Sequence, residues 1–292
     1  MGNTPAKSSG VHIDLVDSAQ NLFDLLRAFD ETPSLYSHLA VTQALRRYQQ
    51  YWLPLLANHN EALSLPAPRD IEWVWYLHLL HPSSYQTYCE ERFGKIVNHQ
   101  LLSEDEREAQ YQRSKTLWQT HYEGVEFEVD LNKLDEEIKK KDTNFDPSFP
   151  FDMISFSKYQ ESFSYRTSWP HFRDAKFLNE AVIRYETMIK IKMENPSTTL
   201  LPSNDILFIW CAHQMYPLLY QQHVSELLGN EVKLDYFEAC YENTQLAQNT
   251  RKTKDLMRGK RMKYAVSGSM CYADVSLCCS YVADLLLKEV SL

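Results

Sequence analysis

The chain has 292 residues, enough for one large domain or two ordinary ones, and 44% of them are hydrophobic, which supplies a sizeable core. Seven glycines are few; they disfavour a turn-dense sandwich or barrel, fit long helices, and leave little material for a phosphate-cradling loop. A net charge of −9 excludes a general nucleic-acid binder, which needs a basic face against phosphates.

Residues 1–13 are small and polar and read as a disordered leader. The start, Met1-Gly2-Asn3-Thr4-Pro5-Ala6, partly resembles an N-myristoylation signal at Gly2, with Ala6 in place of the expected Ser or Thr. From Leu15, apolar residues at Leu22, Leu25, Leu26 and Phe29 form a helical stripe. Pro33 opens a second stretch over 34–57, with Leu35, Leu39, Leu45, Tyr48, Trp52 and Leu55 on one side; Pro54 should bend or finish it. Asp70 is placed as the N-cap of a helix that carries Ile71, Val74, Trp75, His78 and Leu79 on one face. Pro82 ends that helix and opens the next, which runs through Tyr85, Tyr88 and Phe93 to a stop at Gly94. Ser103-Glu104-Asp105-Glu106 is a capping box for a further helix through Trp118.

The stretch 123–152 is charged, contains Pro147 and Pro150, and reads as a linker. Ser157 to Tyr165 then leads into a second unit, and helical spacing resumes after Leu234 as far as about Lys263. The tail, 266–292, carries Cys278-Cys279 and the run Leu285-Leu286-Leu287 and is expected to form a terminal helix.

The chain repeats itself. Asp70, Ile71, Trp75, His78, Pro82 and Tyr85 recur 135 residues later as Asp205, Ile206, Trp210, His213, Pro217 and Tyr220, and Gly94 recurs as Gly229. Upstream the offset is 137: Pro33, Ala44, Arg47 and Tyr48 match Pro170, Ala181, Arg184 and Tyr185. The expected architecture is therefore all-α: two homologous helical units, each a long helix plus a helical hairpin, over 14–122 and 153–265. They pack as a pseudo-twofold or a tandem helical array.

The candidate chemistries are few. A structural or catalytic zinc site needs three or four converging ligands. Asp70 and His78 lie about 12 Å apart along a helix axis, so only a meeting of His78 and His213 across the pseudo-twofold would revive that reading. The alternative is that both imidazoles are buried and hydrogen-bonded within each helical pair, to a Tyr hydroxyl or a carbonyl. No Ser, Cys or nucleotide signature is present, and no catalytic residue, cofactor or metal ligand is assigned. The six cysteines lack metal-ligand or disulfide-framework spacing, which with no signal segment points to a cytoplasmic or nuclear compartment. The uncharged run from Ile206 to Ser225 contains Pro217 and two His and reads as a buried segment. Two surfaces are candidates for partners: Trp73 and Tyr76, off the Trp75/His78 face, and a basic segment over 251–263 that includes Arg251, Lys254, Arg258 and Arg261.

Taken together, Arg47-Tyr48 with Trp52-Leu53-Pro54-Leu55, Asp70-Ile71-Glu72-Trp73-Val74-Trp75, His81-Pro82 with Tyr85, Tyr88 and Cys89, and in the second half Tyr159-Gln160 with Phe163, Phe177-Leu178 with Arg184-Tyr185, and Asp205-Ile206 with Trp210 and His213-Gln214, resemble the glycine-rich domain-containing protein-like family over roughly 14–250. The resemblance implies a domain whose biochemical activity is not established; plant members are associated with development and stress, and some with a glycine-rich segment have been proposed to bind RNA. This chain lacks such a segment, and where members often show Trp-His-x-His it has Trp75-Tyr76-Leu77-His78 and Trp210-Cys211-Ala212-His213. The reading that follows is a non-catalytic interaction or adaptor protein with a protein partner. The alternatives are a metal-dependent enzyme or sensor through His78 and His213, and RNA binding through 251–263.

Overall fold

The structure, a computed structural model, describes residues 13–59, 65–131, 149–198, 200–228 and 256–257. Among the described residues every regular element is helical. The expected leader, most of the linker, the Gly229 stop and the C-terminal tail lie outside the described residues, as do four of the six cysteines.

Helix α1 (Leu15–Asp30) starts where the Asp14 carboxylate accepts the backbone N–H groups of Val16 and Asp17. A short 3₁₀ turn at Pro33–Tyr36 leads to α2 (His38–Arg47), capped by Ser37. The chain then widens into a π turn at Tyr48–Trp52 before α3 (Leu53–Asn58). Pro54, which has no N–H and crowds the preceding turn, accounts for the widening. The long helix continues past it to Asn58.

Helix α4 (Arg69–Leu79), α5 (Pro82–Phe93) and α6 (Glu104–His121) complete the first half. Pro82 opens α5 and Gly94 closes it in the left-handed region at φ +68°, a geometry that favours glycine. The capping box at Ser103 and Glu106 is formed in both directions. In the second half, α7 (Met153–Arg166) is capped by Asp152, and a 3₁₀ turn at Pro170–Arg173 precedes α8 (Ala175–Glu194), capped by Asp174. Helices α9 (Asn204–Gln214) and α10 (Pro217–Leu228) follow.

The duplication is thus more extensive than the matched letters. Each half runs helix, 3₁₀ turn, long helix, buried helix, hairpin helix. The two leading helices are exchanged: α1 lies chiefly against α8 and α9 of the second half, whereas α7 lies against α2 and α4 of the first. Contacts on both sides report it. Trp73 Nε1 donates to Ser157 on α7 at 2.9 Å, and Tyr76 donates to Gln160 at 3.0 Å. On the other side, Ser18 on α1 donates to Tyr216 at 3.2 Å, and Arg173 pairs with Asp24 at 2.9 Å. One hydrophobic core runs through both halves.

The exchange explains why α4 and α9 are buried on every side. Asp70 to Leu79 is buried without interruption, and so is all of α9. A helix enclosed all round needs no polar face, which corrects the one-faced helix expected from Ile71, Val74, Trp75 and His78. Among the described residues no helix is long and apolar enough to cross a membrane.

Candidate functional site

The repeated residues assemble into the same polar cross-link in each half. The long helix supplies an adjacent Arg–Tyr pair at its centre. The buried helix supplies Asp, Trp and His from its first turn to its last, and the hairpin helix supplies Tyr. Arg47 forms a buried ion pair with Asp70, and Arg184 Nε donates to Asp205 at 2.6 Å. Tyr48 and Tyr185 each hold the Nδ1 of His78 and His213 through the hydroxyl at 2.9 Å. Trp75 Nε1 donates to Tyr85 at 3.2 Å, and Trp210 Nε1 to Tyr220 at 2.9 Å.

Two expectations are corrected here. Neither aspartate is the N-cap: the cap positions are Pro68 and Ser203, and each Asp sits one position inside the first helical residue, turned onto its arginine. A buried carboxylate gains more from a guanidinium than from an exposed cap, because its desolvation has to be offset. The histidines do bond to tyrosine hydroxyls, but to Tyr48 and Tyr185 upstream. Tyr85 and Tyr220, seven residues downstream, serve the tryptophans; Tyr85 also donates to the Val97 carbonyl at 2.7 Å.

Burial shapes the electrostatics. Desolvation holds His78 well below the usual imidazole range and His213 down to about 3, the latter helped by neighbouring His223 at 3.0 Å. Both rings are neutral at neutral pH. Desolvation pushes Asp70 up against the opposing pull of Arg47. It also lifts the Cys89 thiol to about 11 and Cys211 further, so neither is a thiolate nucleophile. His78 Nε2 is buried without a hydrogen-bond partner, and its ring is walled by Tyr85, Tyr88 and Phe149.

His78 and His213 each serve their own half. Among the described residues no group of three or more His, Cys, Asp or Glu side chains is placed to hold a metal ion. His81, stacked on Phe151 at 3.7 Å, and its counterpart Tyr216 both meet the start of an exchanged leading helix. A crevice lined by Asp24, Leu65, Glu72, Trp75, His99 and Arg107 has about 20 Å³, room for one water.

Trp73 and Tyr76, the candidate partner surface, are buried under α7. The sequence pattern placed them off the core face; the exchanged helix turns that face into core. Of the basic segment 251–263, only Leu256 and Met257 are described, and Met257 is buried; Arg251, Lys254, Arg258 and Arg261 lie outside the described residues. The large apolar side chains that are exposed include Tyr165 and Trp169, which sequence reasoning passed over. A signal was present: their counterparts 137 residues earlier are Ala28 and Thr32.

The family model for glycine-rich domain-containing protein-like proteins matches residues 2–87 and 84–223. Glycine-rich domain-containing protein 1 of Arabidopsis thaliana is 30% identical over 241 residues, covering 79% of this chain and 29% of the relative. Glycine-rich domain-containing protein 2 of the same organism is 29% identical over 240 residues, covering 79% of this chain and 30% of the relative. The chain therefore spans less than a third of the length of these curated relatives. No solved structure matches the chain. Both polar cross-links, from Arg47 to Tyr220, fall inside the matched segments, and the chain belongs to the glycine-rich domain-containing protein-like family.

Proposed function

We propose that the chain is a non-catalytic helical interaction module that engages a protein partner through Tyr165 and Trp169. One observation carries this reading. In a chain that buries Trp52, Trp73 and Trp118 almost completely, Tyr165 is 76% exposed and Trp169 is 55% exposed. Ser168 ties the turn between them, its N–H and hydroxyl both donating to the Tyr165 carbonyl. Two rigid amphipathic rings on a fixed turn are the side chains that dominate protein interfaces. The repeated polar residues support the reading from the other side, since each has an internal partner.

The test compares proteins captured from native lysate by the wild type and by a Tyr165→Ser/Trp169→Ser variant whose unfolding midpoint matches it. Loss of at least one wild-type partner is expected. An identical set, or no partner for either protein, would reject the proposal.

A further inference from the structure

His59 and His121 come together at the surface although 62 residues separate them. Their Nε2 atoms are 2.9 Å apart, the ring centroids 4.4 Å, and the planes cross at 75°. We propose that this pair is a binding site for one borderline divalent transition-metal ion, of the Zn²⁺, Cu²⁺ or Ni²⁺ class, that clamps the end of α3 to the end of α6.

Four features carry the inference. The first is tautomer control. His121 Nδ1 lies 2.9 Å from the Leu117 carbonyl, which can only accept, so the ring proton is on Nδ1 and the Nε2 lone pair faces His59. Metal-ligating imidazoles are oriented by the same kind of second contact. The second is spacing. Two Nε2 ligands on a tetrahedral ion at about 2.0–2.1 Å stand roughly 3.3 Å apart, a few tenths more than here, which a slight swing of two surface rings supplies.

The third is the local field. His59 is the C-cap of α3 and His121 the last residue of α6, so two helix C-termini with their partial negative charge converge on the site. That favours a cation between the rings. The fourth is a rigid base. Tyr122 donates to the Tyr51 carbonyl at 2.8 Å, and Tyr51, Trp118 and Tyr122 pack edge to face behind the histidines. His121 is exposed and His59 half-buried, so an ion reaches both and keeps water in its remaining positions. Imidazole donors suit Zn²⁺, Cu²⁺ and Ni²⁺, with Cu²⁺ bound most tightly.

The full chain is titrated with Cu²⁺ and followed by electron paramagnetic resonance, which counts coordinated imidazole nitrogens. The thermal midpoint is measured in parallel with and without Zn²⁺. Wild type should bind one ion through two imidazoles and melt higher in Zn²⁺, because an ion bound only by the folded state stabilises it. His59→Ala and His121→Ala should each weaken binding at least about tenfold, on the scale of losses at such sites, and abolish the Zn²⁺-dependent rise. His38→Ala and His171→Ala, at other exposed histidines, should change neither. A single coordinated imidazole, unchanged binding in His59→Ala, or no midpoint rise in the wild type would each overturn the assignment.

Discussion

Tyr76 and Cys211 occupy the same position of the two repeats, and the two side chains are electrostatic neighbours in the core. A residue that meets its own counterpart lies beside the symmetry axis. The pseudo-twofold of this molecule therefore passes between α4 and α9, the two enclosed helices. The phenol–thiol pairing shows that the axis accepts one large and one small side chain.

Restoring symmetry at that point should be harmful. Cys211→Tyr sets a second ring against Tyr76 in a filled core, and overpacking of this kind costs about 1–3 kcal/mol or more. Cys211→Ala should cost distinctly less. Urea unfolding of the two variants checks the order, and a Tyr variant as stable as the Ala variant would show that the axis is loosely packed.

The two Arg–Asp pairs should not be equivalent. Arg47 also donates to the carbonyls of Glu126 and Phe127, the latter at 2.6 Å, so it holds the segment after α6 as well as Asp70. Removing one member of a buried pair costs about 3–5 kcal/mol because the other charge is left uncompensated. Arg47→Met should reach or exceed that range and should increase proteolysis around residues 122–131. Arg184→Met should destabilise without exposing that segment. Equal cleavage in both variants would contradict the assignment.

Acid should unfold the protein early. Burial holds His81 and His99 down to about 4 and His213 down to about 3, whereas an unfolded histidine takes its proton near 6.5. Between those values the unfolded chain binds more protons than the folded one. Their contribution is complete above about pH 6.5 and declines as pH falls toward 3–4. Each histidine supplies a slope of about 1.4 kcal/mol per pH unit, so ~2 kcal/mol per histidine is lost between pH 6.5 and 5. Urea midpoints at pH 7 and pH 5 should differ strongly; equal midpoints would mean that these rings are solvated.

Tyr85→Phe should be costly for a single oxygen. It strands the buried Trp75 N–H and the Val97 carbonyl together, and unsatisfied buried groups cost about 1–3 kcal/mol each. Differential calorimetry should show a clear fall in Tm. A change within error would mean that water replaces the hydroxyl.

The all-α class, the duplication, both prolines of the hairpins and the capping box were legible because each rests on local chemistry repeated at a fixed offset. The pairing of Arg47 with Asp70 was within reach, since both stood in the repeat with opposite charge. Periodicity, however, says which face of a helix is apolar and not what covers it. Leu22, Phe23 and Leu26 on α1 match Tyr159, Gln160 and Phe163 on α7 in position but not in identity, so the leading helices did not declare themselves as a repeat. Their exchange was hidden, and with it the burial of Trp73 and Tyr76. His59 and His121 belong to no repeat, and only tertiary structure brings them together.

The exchanged leading helices also set a timetable. Helix α1 leaves the ribosome well before the surface that receives it, which is finished only at Gln214, some 180 residues later. At about 5–20 residues per second that is a wait on the order of ten to forty seconds. During it the apolar stripe of Leu22, Leu25, Leu26 and Phe29 has no native partner, and α2 and α4 stand uncovered until α7 arrives. Contacts of such long sequence separation slow folding. The nascent chain thus carries an exposed amphipathic helix until Gln214 has been added, the kind of segment that chaperones attend.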